Sequence, residues 1–184
     1  SLPRILKGND IREVVNAVVG ARKKKRSAIW MAGAHVIKCG LNPVLIELIR
    51  KKAVTCLCLN GAGLIHDFEI AFQGSTSEDV GENLKSGMFG MAREPAEFIN
   101  RAVEEGVSDG LGLGNSLARK ISLEGLRFKA SSLLYHAYKH KVPVCAFVAV
   151  GTDIIHQHPS FDAGLTAEAS LRDFHLLVRE VCGL

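Results

Sequence analysis

The sequence predicts an α/β protein with a mostly parallel sheet layered against helices. Three short apolar runs, 27–32, 54–59 and 142–150, are separated by stretches whose apolar residues recur at helical spacing. Each run ends in small or polar turn residues: Gly33-Ala34-His35, Asn60-Gly61-Ala62-Gly63 and Gly151-Thr152-Asp153. Helices joining successive strands imply parallel pairing, and ligands of such sheets gather beyond the carboxyl ends of the strands. The 184 residues, 47% hydrophobic and 23% charged, suffice for one domain with a sizeable core.

Residues 1–8 read as an arm, followed by one α/β domain over 9–184. The opening Ser1-Leu2-Pro3, without a Met, is expected of a processed or truncated start. Asn9 or Asp10 is expected to cap a helix over 11–22, with Ile11, Val14, Val15, Val18 and Val19 on one stripe. After the first strand, a brief helical turn over 36–39 should stop at Gly40. Asn42 should cap the next helix with Pro43 at its first position, turning Val44, Leu45, Leu48 and Ile49 inward. The second strand and its glycine turn lead into a helix over 64–72.

Ser75 with Glu78, or Thr76 with Asp79, fits a capping box for a helix to about Lys85, and 86–93 reads as a loop. Pro95 opens a helix to about Glu105. Gly110-Leu111-Gly112-Leu113-Gly114 follows no strand and reads as a hinge between helices, the next spanning 115–121. Ser131 or Ser132 begins a helix through Lys141, with Leu133, Leu134, Ala137 and Tyr138 inward. After the third strand comes an irregular polar loop. Thr166 then caps a last helix over 167–181, closed by Gly183.

Net charge is +4, much of it in Arg22-Lys23-Lys24-Lys25-Arg26. That run joins a helix to a strand without interleaved aromatics. It reads as a solvated connector or an assembly face, not a nucleic-acid site. Five Cys and no C-x-x-C suggest neither a disulfide framework nor a zinc ribbon, and Cys56 and Cys58 suit small apolar fillers of a strand. A reducing, cytoplasmic setting is expected. No apolar run reaches the length of a membrane span.

The strand ends carry the candidate chemistry. A helix opening at Gly61-Ala62-Gly63 could receive a phosphate, or could be an ordinary strand-to-helix turn. His66 and Asp67 would lie in its first turn. Asp153 could accept hydrogen bonds from a ribose, or cap its own turn. His35 could meet a ligand or simply pack. His156 and His158 flank Gln157, and alternate residues of an extended segment point to one side, where they could share a metal. A metal-dependent enzyme built on these His and Asp residues is therefore one alternative. Lys38, one turn beyond the first strand, is a candidate imine-forming amine if partly buried.

Three blocks resemble a known family. Residues 29–80 are similar to the first strand, ligand loop and glycine turn of deoxyhypusine synthase and its bacterial relatives. Residues 133–159, with GTDIIHQHP, resemble that family's helix, strand and T-D loop, and EASLRDFHLLVREV resembles the following helix. The resemblance implies a Rossmann-like NAD-binding domain assembled as a tetramer. It also implies an NAD-dependent transferase that moves an aminobutyl group from spermidine or a related amine. By that likeness Gly33, Ala34, His35, Asn60, Gly61, Ala62, Thr152 and Asp153 would hold NAD. His66, Asp67, His156 and His158 would face the substrate. His158 stands where an acidic spermidine contact is expected, and the family's lysine segment would lie beyond Leu184. The domain is accordingly expected to be incomplete at its carboxyl end, or to serve as a non-catalytic NAD-binding or assembly module.

Overall fold

The computed structural model describes residues 5–76, 84, 85, 87 and 92–183. It is an α/β structure. Among the described residues a three-stranded parallel sheet is flanked by helices, as in a Rossmann-like fold. In chain order the elements begin with α1 (Gly8–Lys23), β1 (Ile29–Ala32), α2 (His35–Lys38), α3 (Asn42–Arg50), β2 (Cys56–Asn60) and α4 (Gly61–Gln73). There follow α5 (Arg93–Ser108), α6 (Leu113–Leu123), α7 (Leu133–Lys139), β3 (Val144–Phe147) and α8 (Ala163–Cys182). The capping boxes expected around Glu78 and Asp79, and most of the loop expected over 86–93, lie outside the described residues.

The strands lie in the order β1-β2-β3, with Met31 opposite Cys58 and Cys58 opposite Cys145. Alternation divides the side chains between two faces. Trp30, Leu57, Leu59, Val144 and Ala146 join the main core with α3, α4, α5, α6 and α7. Ile29, Cys56, Cys58, Cys145 and Phe147 turn the other way, toward Leu176 and Leu177 of α8. The sulfurs of Cys56 and Cys145 are 3.8 Å apart. All three buried thiols are free, as the filler reading expects.

Several helix starts differ from expectation. Lys7, not Asn9 or Asp10, precedes α1, and Asp10 pairs with Lys7 at 2.6 Å inside the first turn. Leu41 precedes α3: Asn42 instead donates its Nδ2 to Asp67 and the Ser131 carbonyl, and its Oδ1, the atom that would cap, is buried without a partner. Asp162, not Thr166, caps α8 by accepting from the Leu165 N–H. Val44 and Tyr138 are exposed, not inward; Ile46 and His136 take the buried places on α3 and α7. Other terminal signals hold. Gly183 closes α8 at positive φ and Ser132 caps α7; Gly74, not singled out in the sequence, closes α4 in the same way. The glycine run at 110–114 does join two helices. A Cβ on Gly114 would strike the Val144 backbone, so this residue permits the close approach of α6 to β3.

Two buried carboxylates knit these elements. Asp67 on α4 lies beneath the N-terminus of α7. It accepts from Ser132 Oγ (2.6 Å), Leu133 N–H (2.8 Å), Leu134 N–H (2.9 Å) and Asn42 Nδ2 (3.1 Å). Burial pushes its carboxyl pKa up, and the accepted hydrogen bonds oppose that shift. Asp173 on α8 accepts at Oδ2 from Gly114 N–H (2.8 Å) and Ala146 N–H (2.9 Å), while its Oδ1 is buried without a partner. Burial pushes the Asp173 carboxyl up to about 7, and the unpartnered oxygen is the natural place for its proton.

Replacing Asp67 by Ala leaves buried donors unmet on two elements, α3 and the start of α7. Stability should fall by about 3 kcal/mol, read from the urea midpoint. Asp173, with its pKa raised above the unfolded value of 3.8, contributes stability that is complete below that value and lost as the pH rises through about 7. Between pH 5 and pH 8 the wild-type chain should therefore lose on the order of 3 kcal/mol more than Asp173→Asn, measured by urea unfolding at both pH values.

Candidate functional site

The candidate site lies at the carboxyl ends of the three strands, which the fold brings together. At the end of β2, Asn60 leaves the strand and caps α4, its Oδ1 accepting from the Gly63 N–H at 2.9 Å. Its Nδ2 lies beside Gly33, which follows β1 and is open to solvent. Asp153, beyond the end of β3, sets its carboxylate against Gly61, the first residue of α4. A Cβ on Gly61 would overlap that carboxylate. Gly61 is thus required by a side chain from another strand end.

Asp153 is positioned by its own loop. It starts a short 3-10 turn, Ile154–Gln157, and forms a reciprocal capping box with His156. His156 Nδ1 accepts from the N–H groups of Gly151 (3.1 Å) and Asp153 (3.2 Å). Two donors on Nδ1 assign the ring proton of neutral His156 to Nε2. Burial lowers the His156 pKa, and the Asp153 charge opposes that shift. Burial raises the Asp153 pKa, with His156 opposing. Thr152 Oγ1 donates to the Ala149 carbonyl at 2.8 Å, shaping the turn from which Asp153 projects.

The other expected site residues lie around this centre at varying remove. Ala34 and His35 begin α2 at the end of β1, with His35 exposed. Lys38 ends the same short helix and is exposed, outside the enclosed setting that an imine-forming amine calls for. Because α4 begins at Gly61, His66 and Asp67 fall in its second turn, not its first. His66 pairs with buried Glu69 at 2.7 Å, and the i,i+3 spacing in the sequence carries that signal. Asp67 is committed to capping α7, away from the strand ends.

His156 and His158 are not alternate residues of an extended segment. They bracket the end of the 3-10 turn and engage different partners. His158 Nδ1 meets Ser160, whose Oγ also accepts from Asn100 of α5. Among the described residues, the only His, Cys, Asp or Glu group close enough to share an ion is Cys56, Cys58 and Cys145, beneath α8. The geometry therefore gives no support to a metal site built from His and Asp at the strand ends.

No protein-family model and no curated protein matches the chain. Among solved structures, it is similar to a LOR/SDH-like protein from Methanococcus maripaludis S2. The TM-score is 0.53 at 17% identity, over 89% of this chain and 47% of that one. It is also similar to ArgZ, an arginine dihydrolase of the ornithine-ammonia cycle in cyanobacteria. There the TM-score is 0.48 at 18% identity, over 77% of this chain and 18% of that one. The chain thus spans under half the length of these neighbours. At such identities the likeness concerns the fold. These findings overturn the expected membership of the deoxyhypusine synthase family, and with it the spermidine-dependent transferase.

The His156 ring offers a test of the loop. Its lowered pKa means that its contribution to folding is complete above the ordinary value of 6.5 and lost as the pH falls through the lowered one. Hydrogen-exchange protection factors of the Gly151 and Asp153 amides should therefore drop at acidic pH. In His156→Ala they should be low throughout.

Proposed function

We propose that the corner where the three strand ends meet binds a nucleotide cofactor of the NAD class. The observation that carries this reading is the Asp153 carboxylate, held against Gly61 at the start of α4 and beside the Asn60–Gly33 corner. A fixed carboxylate at the carboxyl end of a parallel sheet suits the paired hydroxyls of a ribose. The N-terminus of a helix of 13 residues presents N–H groups and a positive dipole end, which suit a pyrophosphate. Carboxylate and phosphates repel at close range, so the ribose belongs on the Asp153 side and the phosphates toward Ala62 and Gly33. Small residues at Gly33, Ala34 and Ala62 allow the backbone to approach the ligand. His35, exposed at the end of β1, follows directly on Gly33 and Ala34. In this reading Thr152 and His156 are positioning residues, since both hold the loop that carries Asp153.

Calorimetric titration of the chain with NAD tests the proposal. Saturable binding in the micromolar range, roughly 8 kcal/mol, is the expected outcome, and absence of binding overturns it. Asp153→Ala should weaken the affinity at least tenfold. Gly61→Ala should do the same by displacing the carboxylate, while circular dichroism stays unchanged. Undiminished affinity in Asp153→Ala removes Asp153 from the site.

A further inference from the structure

The N-terminal helix α1 has no buried residue. Its aliphatic stripe is nevertheless continuous. Ile11, Val14, Val15 and Val19 are 45–57% exposed, and they look across an apolar groove of about 750 Å³ to Val44 and Leu48 of α3. A helix of 16 residues is marginal in water on its own and gains its stability from covering such a stripe. The groove also lies along β1, an outer strand of the sheet.

We infer that this groove is the interface with a second copy of the chain, whose α1 packs antiparallel against the first. The charges along α1 argue for this occupant. Acidic Asp10, ion-paired with Lys7, and Glu13 share its first half with Arg12, whereas its last turn holds Arg22 and Lys23 and no acidic residue. Antiparallel pairing about a two-fold axis sets Asp10 of each copy against Arg22 of the other. It also sets Val14 against Val18 and opposes the two helix dipoles. Asp10 and Arg22 both border the groove, so the charged pairs would close its two ends. The half-exposed aliphatic surface amounts to on the order of 500 Å² per copy, about the apolar share of a standard interface of roughly 800 Å² per partner.

The mass of the 184-residue chain, measured by light scattering after size exclusion at about 50 μM loading, should be twice 19.9 kDa. Val15→Glu should raise the dissociation constant on the order of a hundredfold and leave the circular dichroism unchanged, because Val15 is half exposed on the helix surface. Asp10→Arg alone and Arg22→Asp alone should each be monomeric, since each copy then meets a like charge. An equimolar mixture of the two should recover the dimer. A monomeric wild-type chain overturns the proposal and gives the groove to another occupant. A dimer that survives Val15→Glu but dissolves in Val178→Glu, on the exposed stripe of α8, overturns it in favour of that stripe. A mixture that stays monomeric overturns the antiparallel seating.

Discussion

The buried carboxylate of Asp67 constrains much of the rest. A charge removed from water is tolerated only where hydrogen bonds replace hydration. Asp67 receives four, from the N-terminus of α7, from the Ser132 hydroxyl and from Asn42 of α3. One side chain of α4 thereby fixes that helix against two neighbours. With α4 held, Gly61 is held at the end of β2, and the place where the Asp153 carboxylate can rest is set. Asp173 repeats the device on α8, tying the start of α6 to the backbone of β3. Each carboxylate meets N–H groups that a helix cannot satisfy by itself.

The elements legible in the sequence are those with local causes. The three strands announce themselves as short apolar runs, and Gly183 stops its helix through backbone freedom. Signals that depend on a distant partner misled. Asn42 has the form of a helix cap, but its side chain is oriented by Nδ2 donating to Asp67, 25 residues away, and its Oδ1 caps nothing. Val44 fits an inward position on α3, yet it stands more than half exposed among the described residues. The spacing of His156 and His158 suggested a shared direction in an extended segment, where the Asp153 capping box instead winds the chain into a turn.

The candidate site was legible as a convergence and not as a set of roles. Three glycine-bearing or small-residue turns at three strand ends follow from the parallel topology, and the structure does bring Gly33, Asn60, Gly61 and Asp153 together. Sequence alone could not separate Asp153, which faces that corner, from Asp67, which faces a helix end in the core. Both follow small residues near a strand end, and only the three-dimensional packing distinguishes them. The resemblance to deoxyhypusine synthase rested on the same local wording, which is why the fold survived comparison and the family did not.

The strand order also bears on how the chain finds its structure. Met31 and Cys58, paired across β1 and β2, are 27 residues apart, whereas Cys58 and Cys145, paired across β2 and β3, are 87 apart. Closing the longer loop costs about 1 kcal/mol more entropy. The β2–β3 pairing is therefore the more non-local of the two, the kind of contact that slows folding and that, while unmade, leaves a strand edge open to mispairing.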